Sequence, residues 1–292
     1  MTTALTSACP SHLGGLETID LVSPHGRATV ACLGATVVDY RDAAGDEVLW
    51  VSPSSRLDGN RPIRGGVPVC WPWFGAHPTD PSLGAHGFVR HKTWQVERLS
   101  HDGDQAIAVL TIRDDETTRR IWPHPFRLTL TVTLNDRLHI ELTAENRSKD
   151  EWHVSEALHS YFHVDDACDS RVDGLEGLTY WDKQQGGIRG RQSSALQVRP
   201  PIDRVYFDHL GEAVINGPRR RIHLDKAGSA TTVVWNPGPD GVLGFDDIPD
   251  DAWRDMLCVE TANAIDNGYT LRPGERHTLS ATIRTENTIA DV

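Results

Sequence analysis

The residues best suited to moving a proton lie in Ala157-Leu158-His159-Ser160-Tyr161-Phe162-His163-Val164. The stretch is rich in aromatic and β-prone residues and lacks Gly and Pro, so it reads as one strand. Alternation puts His159, Tyr161 and His163 on one face and Leu158, Ser160, Phe162 and Val164 on the other. Two imidazoles at i and i+4 invite a metal reading. In a strand, however, they stand about 13 Å apart and cannot share one ion. His159 is therefore read as a proton donor or acceptor whose partner comes from elsewhere in the chain.

Three further stretches offer chemistry. In Ile63-Arg64-Gly65-Gly66-Val67-Pro68-Val69-Cys70-Trp71-Pro72-Trp73-Phe74-Gly75 the paired glycines allow close backbone approach to a ligand. The aromatics Trp71, Trp73 and Phe74 offer flat faces for a sugar ring, or alternatively fill a sheet corner. In Gly84-Ala85-His86-Gly87-Phe88-Val89-Arg90-His91-Lys92 an imidazole and a guanidinium lie four residues apart with a glycine between, fit to line a polar pocket or, alternatively, to form a solvated basic turn. Arg64 and Arg90 together suit a phosphate, which the planar guanidinium binds through paired, charge-assisted hydrogen bonds. Arg254-Asp255-Met256-Leu257-Cys258-Val259-Glu260-Thr261 ends an apolar run on a carboxylate. Taken alone, Glu260 reads as a group at a solvated strand end.

The elements that must position these residues are mostly strands. Arg27–Cys32, Ala35–Tyr40 and Glu47–Val51 are separated by turn signals, and Leu128, Leu130, Val132 and Leu134 alternate with threonines before an Asn135-Asp136 turn. Leu138, Ile140, Leu142 and Ala144 continue the alternation beyond it, the mark of antiparallel strands with one buried face. Further strands are expected at Val205–Phe207, Ala213–Ile215, Arg221–Leu224, Thr231–Trp235, Met256–Glu260 and His277–Arg284. Short helical turns are expected at Asp115–Trp122 and Asp250–Asp255. Strands without alternating helices predict an all-β fold, a large antiparallel β-sandwich with a few short helices. One domain is expected over residues 1–292, with residues 1–14 as a loose N-terminal segment.

Composition narrows the partners. At 292 residues, with 24% charged and 38% hydrophobic residues, the chain has the make-up of a soluble globular protein. Its net charge of −12 argues against nucleic acid. No apolar run is long enough for a membrane span. The five cysteines are scattered, without a CxxC pair, and no signal peptide is visible, so a cytoplasmic setting is expected.

The motifs Arg64-Gly65-Gly66-Val67-Pro68, Cys70-Trp71-Pro72-Trp73-Phe74-Gly75, His86-Gly87-Phe88-Val89-Arg90, Ala157-Leu158-His159-Ser160-Tyr161-Phe162, Ile202-Asp203-Arg204-Val205-Tyr206, Val234-Trp235-Asn236-Pro237 and Cys258-Val259-Glu260 resemble those of the hexose-6-phosphate mutarotases. These form the glucose-6-phosphate 1-epimerase branch of the aldose 1-epimerase superfamily, and the resemblance runs from about residue 15 to 285. It implies a single β-sandwich with the site on its concave face, His159 and Glu260 as catalytic residues, and Arg64, Arg90, Asp203 and His86 as substrate-binding residues. It also implies a phosphosugar substrate, no metal and no cofactor, and a monomer is expected. Ala85 and Thr261 depart from the Gln and Pro that some relatives carry. Two other readings are a mutarotase of neutral aldoses and a non-catalytic sugar-binding β-sandwich. A metal-dependent β-barrel isomerase is more distant, because no His-x-His motif with a downstream Glu is present.

Overall fold

The computed structural model describes residues 6–288 of the chain. Every pairing in its sheets is antiparallel among the described residues. The predicted hairpin is present, as Phe126–Leu134 and Leu138–Asn146 pair from Phe126↔Asn146 to Leu134↔Leu138. Leu128, Leu130, Leu138, Ile140 and Leu142 are fully buried. Burial of such a side chain contributes roughly 1.5–3 kcal/mol, so the alternating stripe fixes which face turns inward.

That hairpin belongs to a nine-stranded sheet. Its order is Leu196–Gln197, Arg171–Asp173, Ala213–Asn216, Arg220–Ala227, Arg276–Asn287, Leu138–Asn146, Phe126–Leu134, Gln105–Arg113 and Gln95–Asp102. The second large sheet runs Ile188–Arg191, Thr179–Asp182, Ile202–Phe207, Thr231–Asn236, Met256–Asn263, Glu156–Leu158 and Val69–Cys70, with Tyr161–His163 also pairing with Met256–Asn263. Leu158, Phe162, Tyr206, Val234, Leu257 and Val259 from this sheet share one core with Leu130, Leu142, Leu279 and Ile283 from the other. The alternate residues Cys70, Ala157, Val205, Val233 and Ala262 form a separate apolar cluster on the opposite face. The molecule is thus an antiparallel β-sandwich whose second sheet carries a distinct outer face.

Several expectations need correction. Residues 1–5 lie outside the described residues, but Ser7–Leu13, expected to be loose, is a strand paired along its whole length with Leu16–Ser23. It edges a four-stranded sheet completed by Gly26–Ala31 and Thr36–Arg41. Glu47–Val51 forms only isolated bridges, to Arg41, Phe162 and Gly65. The helix at Glu116–Ile121 exists and opens on a capping box, with Asp115 accepting from the Thr118 amide and Thr118 Oγ1 accepting from the Asp115 amide. Asp250–Asp255 is instead a run of turns. The nearby helical turns are Gly238–Gly241 and Val242–Gly244. Among the described residues no helix is long and apolar enough to cross a membrane.

Candidate active site

The stretch around His159 is two short strands, Glu156–Leu158 and Tyr161–His163, with His159 and Ser160 between them. Both strands pair with Met256–Asn263, through Leu158↔Thr261 and Tyr161↔Cys258. Carrying that register across the gap sets His159 opposite Glu260. The break arises because the His159 amide donates to the Pro68 carbonyl and the Tyr161 amide to that of Gly66. Alternation survives it, with Leu158 and Phe162 in the sandwich core and His159 and Tyr161 on the outer face. His163 lines a different cavity, with Arg41, Glu47 and Arg220.

Alternation on neighbouring strands delivers the rest. Asp203 pairs with Trp235, and Val233 with Glu260, so all four share the outer face. There they line a cavity of about 180 Å³ with Arg64, Phe74, His86, His159, Tyr161, Lys183 and Phe245. Five of the six residues singled out in the sequence therefore meet. Arg90 is not among the lining residues, and its guanidinium donates to the Ala85 carbonyl at 3.0 Å. Arg64 is thus the arginine that lines this cavity, while Arg90 stands near enough to help lower His86 and His159 and keeps a buried Nε without a partner.

The loop expectations divide. Trp71 and Trp73 are core residues, and only Phe74 of the three aromatics reaches the cavity. The paired glycines serve packing rather than a ligand, since a Cβ on Gly66 would stand 2.1 Å from the Val37 carbonyl oxygen. Gly87 is tighter still, because its Cβ would fall 1.8 Å from the Trp71 carbonyl oxygen, at a φ of +69°. That close approach sets His86 beside the cavity, its ring 5.5 Å from that of His159. Sequence reasoning missed Lys183, Tyr161 as a lining residue, Trp235 and Phe245. Lys183 follows the strand Thr179–Asp182, and the register Asp182↔Arg204 extended by one residue sets it opposite Asp203. Its Nζ is 3.2 Å from Asp203 Oδ1.

At the centre, His159 Nε2 stands 3.5 Å from Glu260 Oε1. Glu260 is 1% exposed, not at a solvated strand end. His159 Nδ1 and Glu260 Oε2 are buried with no hydrogen-bond partner in the protein. The His159 ring stacks on Tyr161 with centroids 4.8 Å apart and planes at 12°. Burial raises the Glu260 carboxyl well above the usual range, with Lys183 opposing and Asp203 reinforcing the shift. Burial lowers the His159 imidazole well below its ordinary value, reinforced by His86, Arg90 and Arg64. Burial thus pushes each member of the pair toward its neutral form. His86 is also neutral, lowered to about 3 by burial and then by Arg90, Lys183 and Arg64. Its Nδ1 accepts from the Gly75 amide at 3.4 Å, which leaves Nε2–H as a donor.

An imidazole and a carboxyl side by side, in a cavity walled by a guanidinium, an ammonium–carboxylate pair and aromatic faces, suit a polar ring with exchangeable hydroxyls. The chain is also similar to known proteins. The family model described as aldose 1-epimerase matches residues 17–284. A protein of Escherichia coli strain K12, provisionally named a glucose-6-phosphate 1-epimerase, is 33% identical over 275 residues, covering 92% of this chain and 91% of its own. A counterpart in Salmonella typhimurium strain LT2 with the same provisional name is 33% identical over 255 residues and 85% of either chain. A crystal structure from Salmonella typhimurium, provisionally titled a mutarotase, superposes with a TM-score of 0.90 at 30% identity, covering 97% of this chain and 94% of that one.

Proposed function

The chain belongs to the aldose 1-epimerase family, and from that premise we propose that it interconverts the α and β anomers of hexose 6-phosphates, glucose 6-phosphate foremost. The observation that carries the reading is the His159–Glu260 pair, 3.5 Å apart in a cavity that Arg64 also lines. Interconversion opens the pyranose ring and closes it on the other face of C1. The C1 hydroxyl must lose a proton while the ring oxygen gains one, which asks for a base and an acid at adjacent oxygens.

Glu260 is assigned as the base at the C1 hydroxyl and His159 as the acid at the ring oxygen. After rotation about C1–C2 in the open aldehyde, the roles reverse. The pair holds one proton between its members, and this assignment requires it on His159 when sugar is bound. An anionic substrate favours that transfer, because a phosphate beside Arg64 offsets one of the cations that depress His159. Asp203, steadied by Lys183, accepts from ring hydroxyls, and His86 donates from Nε2. No step calls for a cofactor or metal.

The phosphate preference is supported by Arg64 in the cavity wall and by the names of the relatives. The test is kcat/KM for glucose 6-phosphate and for glucose, by NMR exchange between anomers, in wild type, Arg64→Ala and Arg90→Ala. A charge-assisted hydrogen bond contributes roughly 1.5–3 kcal/mol, so Arg64→Ala should weaken phosphosugar turnover by about tenfold or more and leave glucose nearly unchanged. Arg90→Ala should cost less. Equal wild-type efficiency on both sugars would instead identify a mutarotase of neutral aldoses.

A further inference from the structure

We infer that Asp247 is a positioning residue for substrate selection: it holds the Nε edge of Arg64 from outside the cavity, so that the guanidinium's remaining donors face a phosphate. The inference rests on the phosphosugar reading above and adds to it a residue outside the resemblance motifs.

Arg64 is fixed from several sides. Its amide donates to Ser55 Oγ and its carbonyl accepts from the Ser52 amide, both at 2.9 Å. Its guanidinium lies over the Phe245 ring, 5.0 Å from the centroid. Nη1 donates to Tyr161 Oη at 3.3 Å. Nε donates to both carboxylate oxygens of Asp247, each at 3.1 Å. Arg64, Tyr161 and Phe245 line the cavity, whereas Asp247 does not. The carboxylate therefore takes the edge of the fork that faces away from the ligand space. A long, rotamer-rich arginine loses much of its freedom before substrate arrives, which lowers the ordering cost of binding.

Asp247 is itself held by the rim. Ser52 Oγ donates to its carbonyl at 2.5 Å, and the neighbouring Asp246 pairs with Arg61 at 2.6 Å. The helical turns Gly238–Gly241 and Val242–Gly244 lead directly into Phe245-Asp246-Asp247. This rim segment thus supplies both the aromatic face under Arg64 and the carboxylate behind it. Because the carboxylate lies behind the guanidinium, its dominant effect on a bound phosphate is orientation of the donor rather than competition for it.

The experiment measures kcat and KM on glucose 6-phosphate and on glucose for wild type, Asp247→Ala and Asp247→Asn. Asp247→Ala should raise KM for the phosphosugar by about tenfold, keep kcat within about twofold, and leave both constants for glucose unchanged. Asp247→Asn should recover most of the loss, since its amide oxygen still accepts from Nε. In NMR the Arg64 Nε–H signal should exchange with water faster in Asp247→Ala than in wild type. A lower phosphosugar KM in Asp247→Ala would mean that the carboxylate competes with substrate and would overturn the inference. An unchanged KM, or an equal loss on both sugars, would overturn it as well, the last marking a merely structural residue. These outcomes differ from a wild type that does not distinguish the two sugars, which would remove the phosphosugar reading and this inference with it.

Discussion

Replacing Glu260 by Gln keeps the side chain's shape and removes its proton, and the two consequences should have opposite signs. A positioned proton-transfer group typically contributes about 10²–10⁴-fold, so anomer exchange should fall by about 10²-fold or more. Stability should rise. Glu260 is buried, and burial raises its carboxyl well above the ordinary glutamate range. The unfolded chain releases the same proton near pH ~4.3. Above that pH the folded protein holds the extra proton, so stability falls as pH rises, by up to about 1.4 kcal/mol per unit, until the folded-state pKa is passed. Gln carries no such penalty. Between pH 6 and 8 the variant should gain on wild type by up to about 2.7 kcal/mol. At about 2 °C per kcal/mol for a large domain, that widens the Tm gap by roughly 5 °C. Glu156, raised by burial to about 8, slopes the same way in both proteins and cancels in the difference. Thermal unfolding at pH 6, 7 and 8 and constant ionic strength measures the gap. A gap that does not change with pH would mean that Glu260 is ionised in the folded protein, and its raised carboxyl would be refuted.

His159→Ala should also cost about 10²-fold or more in exchange rate. Its linkage has the reverse sign: burial lowers the imidazole, so its contribution to stability is lost as pH falls below about 6.5, and the variant should flatten that acid limb in pH-dependent urea titrations. Glu156 accepts from Tyr269 at 2.8 Å and has no place in the cavity; Glu156→Gln should keep near wild-type exchange while reducing the alkaline loss of stability, and a large fall in rate would show that it does more than support the sheet. Gly87→Ala must push a Cβ into the Trp71 carbonyl at positive φ and should destabilise by well over 1 kcal/mol, read as a lowered urea midpoint. Chelation should leave activity intact, because His159 and His163 line separate cavities; loss with EDTA restored by one divalent metal would revive a metal-dependent mechanism.

How much of the molecule was legible follows from what a period of two can encode. Leu128 to Leu142 announced their hairpin because each inward residue is large and apolar and each outward one polar. Met256–Asn263 is buried at every position, so no alternation marks it, and Glu260 looked like a strand end. Ser7–Leu13 is largely exposed or half-buried and has no apolar stripe, which is why it read as loose. Its place is set by the neighbouring strand, an interaction that pattern alone does not register. Glu47–Val51 has strand composition, yet its backbone bonds are spread over three different partners.

The site shows a sharper division between chemistry and environment. Residue types and spacing singled out His159, His86 and Arg64, because a proton relay and an anion each call for few side chains, whereas Glu260 and Asp203 were named only through the resemblance of their motifs to a known family. Their protonation was not legible. Two opposite charges drawn side by side suggest an ion pair, but that outcome depends on how much water the pair retains, and burial is a property of the assembled sheet. The same holds for Arg64 and Arg90, which look equivalent in sequence. One is aimed into the cavity, and the other spends a donor on the Ala85 carbonyl. Asp247 lies 183 positions from Arg64 in the chain and meets it only because the rim folds back over the sheet. A sequence motif can name the groups that react; the dielectric around them and the carboxylate behind the arginine arise from contacts between segments that no motif spans.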